Sequence, residues 1–186
     1  MSLNRPVAYQ LKITLADIEP PIWRSILVPG LLTLDRLHRV IQQVMGWTDA
    51  HLHEFVIGRQ RYGKPDPDAT VSTVLPDRRV RLQNFAPPPD GRFIYRYDFG
   101  DNWEHEVVVE QILPADPHGR GPVCLAGARH GPPEDCGGPG GYDELLAALR
   151  DPGHPGHEEM LAWVGGRFDP EHVDLDAINR ALRKNR

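Results

Sequence analysis

Polar and hydrophobic residues alternate from the start of the chain. In YQLKITL, residues 9–15, Leu11, Ile13 and Leu15 alternate with Lys12 and Thr14, the period of two that sets one strand face against a core. IWRSILV, residues 22–28, repeats the pattern, with Ile22, Arg24, Ile26 and Val28 on one side and Trp23, Ser25 and Leu27 on the other. Pro20 and Pro21 cannot extend a ladder, so the two strands are expected to pair across them. The period then changes. Thr33 is suited to cap a helix with Asp35 in its first turn, Leu34, Leu37, Ile41 and Val44 share one helical face, and Gly46 ends the run. His38, near the edge of that stripe, reads as a packed or exposed helix histidine rather than a ligand.

Further along, HLHEFVIG (51–58) reads as a third strand, GRQRYGKPDPD (58–68) as a surface loop and residues 80–85 as a short strand. RFIYRYDFGDNWEHEVVVEQIL (92–113) predicts a hairpin. Phe93, Tyr95, Tyr97 and Phe99 fall on one face, Trp103, His105, Val107 and Val109 on one face of the return strand, with Gly-Asp-Asn between them as the turn. Proline and glycine dominate residues 114–141, which are expected to form a long structured loop. Helical patterns resume in 142–186, with Asp169 before Pro170 and Asp174 as expected caps. Strands with one helix, then a hairpin, then terminal helices predict an α+β fold. Its sheet is mostly antiparallel, with a helix after the second strand and helices at the C-terminal end, in a single domain over 1–186. There are no repeats and no glycine-rich phosphate loop.

Composition narrows the function classes. At 186 residues and 40% hydrophobic content the chain can build a core. No apolar run approaches a membrane span and no export signal opens the chain, so a cytoplasmic protein without a membrane partner is expected. The net charge of −5 is uneven: residues 1–100 carry 13 Lys/Arg against 10 Asp/Glu, residues 101–186 carry 8 against 16. The basic stretch 59–96, with Arg59, Arg61, Arg78, Arg79 and Arg81, is the surface on which a nucleic-acid partner would bind; otherwise it is a solvated face.

Four clusters carry candidate chemistry. His51 and His53, two apart on an expected strand, would project from one face and reach one ion. Asp98, Asp101, Asn102 and His105 would supply an acid/base pair or metal donors, or simply turn chemistry. Cys124, His130 and Cys136, spaced C-x5-H-x5-C, would converge on zinc with a fourth ligand such as His105. The same thiols are open to a disulfide or a packing role. Glu134 and Asp135 lie between two prolines and two glycines, which hold them in a defined place as ligands, a docking point or a helix cap. The three serines, Ser2, Ser25 and Ser72, lie in no nucleophile elbow.

YQLKITLADIEPPIWRSILVP, LHRVIQQVMGW, HLHEF, YDFGDNWEH and PPEDCGGPGGY, in that order, resemble the plasmid pRiA4b ORF-3-like family from Tyr9 to Phe168. The resemblance implies an α+β domain found on plasmids, in insertion elements and in bacterial chromosomes, with no activity to carry over. It also implies that His130 stands where a third cysteine is common, an exchange that keeps zinc ligation and removes disulfide pairing. Some relatives on insertion elements are labelled resolvases. Ser25 beside Arg24 and an acidic C-terminal part do not match the nucleophile and basic DNA-binding end of a serine recombinase. The expectation is an accessory or binding module with a structural zinc site and a protein or nucleic-acid partner. The alternatives are a metal-dependent hydrolase built on His51, His53, Asp98 and His105, and a metal-free interaction scaffold.

Overall fold

The computed structural model describes residues 7–65, 73–85, 88–115 and 121–184. Strands β1 (Val7–Leu15) and β2 (Trp23–Pro29) precede helix α1 (Leu34–Met45). Then come β3 (His53–Ile57), β4 (Gln60–Gly63), β5 (Val74–Pro76), β6 (Arg92–Tyr97), β7 (Trp103–Pro114) and β8 (Val123–Ala128). Helices α2 (Gly138–Arg150), α3 (His157–Trp163) and α4 (Leu175–Lys184) close the chain. The strands form one sheet in the order β5-β4-β3-β6-β7-β1-β2-β8. Only β4 and β5 run parallel, and the class is α+β as the patterning predicts.

β1 and β2 pair across the Pro20–Pro21 turn, Thr14 opposite Trp23. Of the alternating positions, Leu11, Ile13, Leu15, Ile26, Val28, Phe93, Tyr95, Tyr97, Trp103, Val107 and Val109 all lie in one core. α1 covers that face with Leu34, Leu37, Val40, Ile41, Val44 and Met45. Gly46, at φ 89°, ends the helix by donating its N–H to the Gln42 carbonyl. Arg24 shares the buried face of β2. Its guanidinium donates to the carbonyls of Val44 at 2.8 Å and Ala128 at 2.9 Å, so a cation satisfies the C-terminal turn of α1 and anchors β8.

Several expectations are corrected. The stretch 114–141 is not all loop, because Val123–Ala128 pairs with β2 as the edge strand and α2 already begins at Gly138. Backbone ladder bonds to an existing strand outweigh the turn-forming composition there. Of the loop expected at 58–68, Gln60–Gly63 folds back as β4, while 66–68 lie outside the described residues. Instead of a strand at 80–85 there are two 3-10 turns, Asp77–Arg79 and Leu82–Asn84, with a lone bridge from Arg81 to Thr33. Phe99 lies beyond the end of β6, 51% exposed, because Asp98 turns the chain at φ 55°. Asp169 starts an isolated turn, accepting from Glu171 N–H at 3.0 Å. Asp174 does cap α4, accepting from Ala177 N–H at 2.8 Å.

His105 is the deepest polar side chain, at 0% exposure. Nδ1 lies 3.3 Å from the Tyr95 carbonyl and the Trp47 ring packs edge-on at 5.3 Å, while Nε2 has no hydrogen-bond partner. Burial holds its pKa down to about 4, so the folded chain keeps the imidazole neutral where the unfolded chain would protonate it at about pH 6.5.

Two stability measurements follow. The unfolded state binds the His105 proton first, so its contribution is complete above about pH 6.5 and declines as pH falls toward 4, by on the order of 3 kcal/mol at the limit. Urea midpoints between pH 6.5 and 5 should fall in the native chain and fall less steeply in His105→Phe; parallel slopes would show that His105 is not the titrating group. In α2, a Cβ on Gly141 would meet the Cys136 carbonyl oxygen at 1.9 Å, whereas one on Gly140 meets nothing within 4 Å. Gly141→Ala should destabilise by about 2 kcal/mol or more, and Gly140→Ala should stabilise by about 0.5–1 kcal/mol, read as shifts in urea midpoint.

Candidate functional site

The site lies where the Pro/Gly-rich stretch 130–138 seats against the sheet. Trp47 Nε1–H donates to the Pro132 carbonyl at 2.9 Å. Glu134 accepts from the Thr48 hydroxyl through one carboxylate oxygen and from the Tyr97 hydroxyl, at 2.5 Å, through the other. Burial alone would raise the Glu134 pKa, but these two donors bring it down and keep the carboxylate charged. The same interaction and burial raise Tyr97 well above its ordinary value, so it stays the proton donor. Tyr97 oxygen in turn accepts from the backbone N–H groups of Ala50 at 3.0 Å and His51 at 3.3 Å. Gly137 N–H donates to the Asp101 carboxylate at 3.1 Å.

This arrangement brings Asp135 to His51. The Oδ1 atom of Asp135 is 2.9 Å from His51 Nε2, and Asp98 Oδ2 is 3.6 Å from the same nitrogen. The three donor atoms lie within 4.8 Å of one another, the one such group of three His, Cys, Asp or Glu among the described residues. The Nε2 atom is buried and, despite the 2.9 Å approach, makes no aligned hydrogen bond. Asp98 is fixed by its other oxygen, which accepts from the N–H groups of Gly100 at 2.9 Å and Asp101 at 3.3 Å. Asp98 and Asp135 both sit at left-handed backbone positions, φ 55° and 58°, a conformation that a short polar residue tolerates at a cost.

His53 does not join His51. β3 begins at His53, and His51 precedes it in the chain that leads from α1. His53 turns to Asp77, Nε2 to Oδ2 2.9 Å, and its ring stacks on His38 at 3.5 Å and 7°. Both, with Asp35, Arg39, Asp49, His51, Lys64 and Arg78, line an open cleft of about 600 Å³. His38 and Asp77 are the residues that the sequence reading missed. His38 reads only as a packed or exposed helix histidine, and Asp77 lies inside the basic stretch 59–96, where the arginines on either side drew the attention. His105 lies in the core, away from both groups.

The cysteine cluster does not assemble either. Both thiols are free. Cys124, on β8, is 3% exposed and donates to the Ala126 carbonyl, and burial raises its pKa. Cys136 is pushed up to about 12 by burial and by Asp101, a poor starting point for a thiolate ligand. His130 donates Nδ1–H to the Gly131 carbonyl at 2.6 Å and packs edge-on against Phe168. C-x5-H-x5-C spans a strand and its exit, so an extended backbone carries its members apart.

Three arginines of the basic stretch are held in ion pairs. Glu54 and Glu104 hold Arg61 and Arg96, and Glu106 holds Arg92. Arg59, Arg78, Arg79 and Arg81 remain exposed. No helix among the described residues is long and apolar enough to cross a membrane.

The chain is similar to known proteins over nearly its whole length. The uncharacterized protein y4hQ of Sinorhizobium fredii (strain NBRC 101917 / NGR234) is 40% identical over 175 residues, covering 93% of this chain and 89% of that one. The crystal structure of MM3350, a protein of unknown function from Methanosarcina mazei Go1, superposes with a TM-score of 0.84 at 36% identity, covering 93% of this chain and 98% of the other. The model of the family "Plasmid pRiA4b ORF-3-like protein" matches residues 7–177, and the chain belongs to that family.

Proposed function

We propose that this chain is an accessory binding module of plasmids and mobile elements, organised by a divalent cation held by His51, Asp98 and Asp135. The observation that carries this reading is His51 Nε2, buried, without a hydrogen bond and 2.9 and 3.6 Å from two carboxylate oxygens. Donors around one ion with bonds of about 2.0–2.1 Å stand about 3–3.5 Å apart. One imidazole and two carboxylates suit zinc or manganese better than calcium. Such an ion would join the segment after α1, the β6–β7 turn and the glycine-rich stretch, replacing the cysteine-bound zinc expected from spacing. The exposed Arg78, Arg79 and Arg81 support a nucleic-acid or acidic protein partner.

A second reading, a metal-dependent hydrolase, rests on Asp135 being 71% exposed. With three protein donors, that side of the ion is open to a water that it would activate.

Calorimetric titration of Zn²⁺ and Mn²⁺ into the chelator-stripped chain tests the site. One ion per chain is expected, weakened at least about tenfold by Asp98→Asn and by Asp135→Asn and unchanged in Cys124→Ser/Cys136→Ser. Loss in the cysteine variant alone would return the ion to the thiols, and no binding to the native chain would end the metal reading.

A further inference from the structure

We infer that the groove between α2 and α3 docks a basic segment of a protein partner. An apolar side chain of that segment seats on Trp163, and its Lys or Arg side chains lie over Glu144 and Glu159. None of the exposed arginines of the basic stretch lines this groove, and its occupancy does not require the cation.

The apolar half of the groove comes from a helix that the chain leaves uncovered. α3 is a seven-residue helix, too short to persist in water without packing, yet none of its residues is buried. Met160 rests against the core, while Trp163 stands out at 48% exposure. Of the four tryptophans it is the exposed one, since Trp47 and Trp103 lie in the core and Trp23 is half-buried. Where α3 meets α2 there is an open groove of about 330 Å³, with Cys136, Leu145, Met160 and Trp163 as its apolar lining. An exposed tryptophan beside a concave apolar surface is the commonest kind of anchor in a protein interface.

Charge decides the occupant. Every charged side chain that lines the groove is a carboxylate: Glu144, Glu159 and Asp135. Glu159 has no ion-pair partner among the described residues, and Glu144, 71% exposed, has only His154 at 3.9 Å. The same sign extends past the groove, because residues 138–166 hold Asp143, Glu144, Asp151, Glu158 and Glu159 against Arg150 alone. Such a surface repels the phosphates of nucleic acid and of lipid headgroups and steers a cationic partner. An arginine suits it twice over, as an ion-pair partner for a carboxylate and as a cation over the Trp163 ring. Because the acidic surface outruns the groove, several spaced cations on one chain match it better than a single small ammonium ion. With Asp135 engaged by a cation, Glu144 and Glu159 still supply the complementarity.

The test is selection of a phage-displayed library of random peptides on the full-length chain, followed by calorimetry with the synthetic form of the strongest binder. The expected binder carries Lys or Arg beside a large apolar residue and binds one to one. Its affinity should weaken at least about fivefold in Trp163→Ala and in Glu144→Gln/Glu159→Gln. Neither variant should move the urea midpoint, since all three side chains are exposed. Asp98→Asn, which removes a proposed cation donor, should leave peptide binding intact. Failure to enrich any sequence, enrichment of peptides without basic residues, or native affinity in both groove variants overturns the inference. So does native affinity for a peptide whose apolar residue is replaced by alanine, because the chain would then read charge alone. Loss of binding in Asp98→Asn overturns it too, because the peptide would then be a ligand of the cation, whose own reading would survive. Self-association in sedimentation equilibrium that disappears in Trp163→Ala would give the groove to a second copy of the chain, and the partner would be struck.

Discussion

Everything around the candidate site depends on how one carboxylate is satisfied. Glu134 sits partly out of water, and burying its charge is tolerable only because the Tyr97 and Thr48 hydroxyls both donate to it. Those two donors come from a strand of the sheet and from the segment after α1. A residue in a proline-rich stretch is thereby tied to two elements far from it in sequence. Glycine makes the close seating possible. A Cβ at Gly131 would lie 2.0 Å from the Met45 carbonyl oxygen, and one at Gly138 would lie 2.4 Å from that of Asp101. With the stretch fixed in this way, Asp135 has little choice but to face His51.

The parts of the fold that were legible in the sequence are those where one face of an element is dry. β1, β2, β6 and β7 alternate because one side meets the core, and α1 shows a stripe because one side covers the sheet. β8 was hidden because an edge strand next to a buried arginine needs no strong alternation of its own, and Gly127 packs directly against Arg24. The turns at 77–84 were hidden because what holds them is tertiary: Leu34 N–H donates to the Val80 carbonyl and Leu82 N–H to that of Leu32.

The site was legible in pieces. His51, Asp98, Glu134 and Asp135 each stand out by residue type and by turn chemistry, but nothing in their spacing couples position 51 to position 135. The cysteines drew attention by their rarity; Cys124 is a core residue and Cys136 packs, half-buried, against the core. His38 is the opposite case. Its place near the edge of an apolar stripe left it either packed or exposed, and said nothing of the Tyr95–Gln42–Asp49 network that engages both of its ring nitrogens in the buried site.

Asn179 of α4 has a consequence at the other end of the sheet. Its side-chain amide accepts from Cys124 N–H at 2.8 Å and donates to the Cys124 carbonyl at 2.9 Å, the pair of bonds that a ninth strand would make. β8 is otherwise the outermost strand and would offer a template to any extended segment that met it. The far edge is protected differently, by a three-residue strand that ends in Pro76. The fold therefore resists polymerising edge to edge, and a single asparagine on a terminal helix acts as the end-stop.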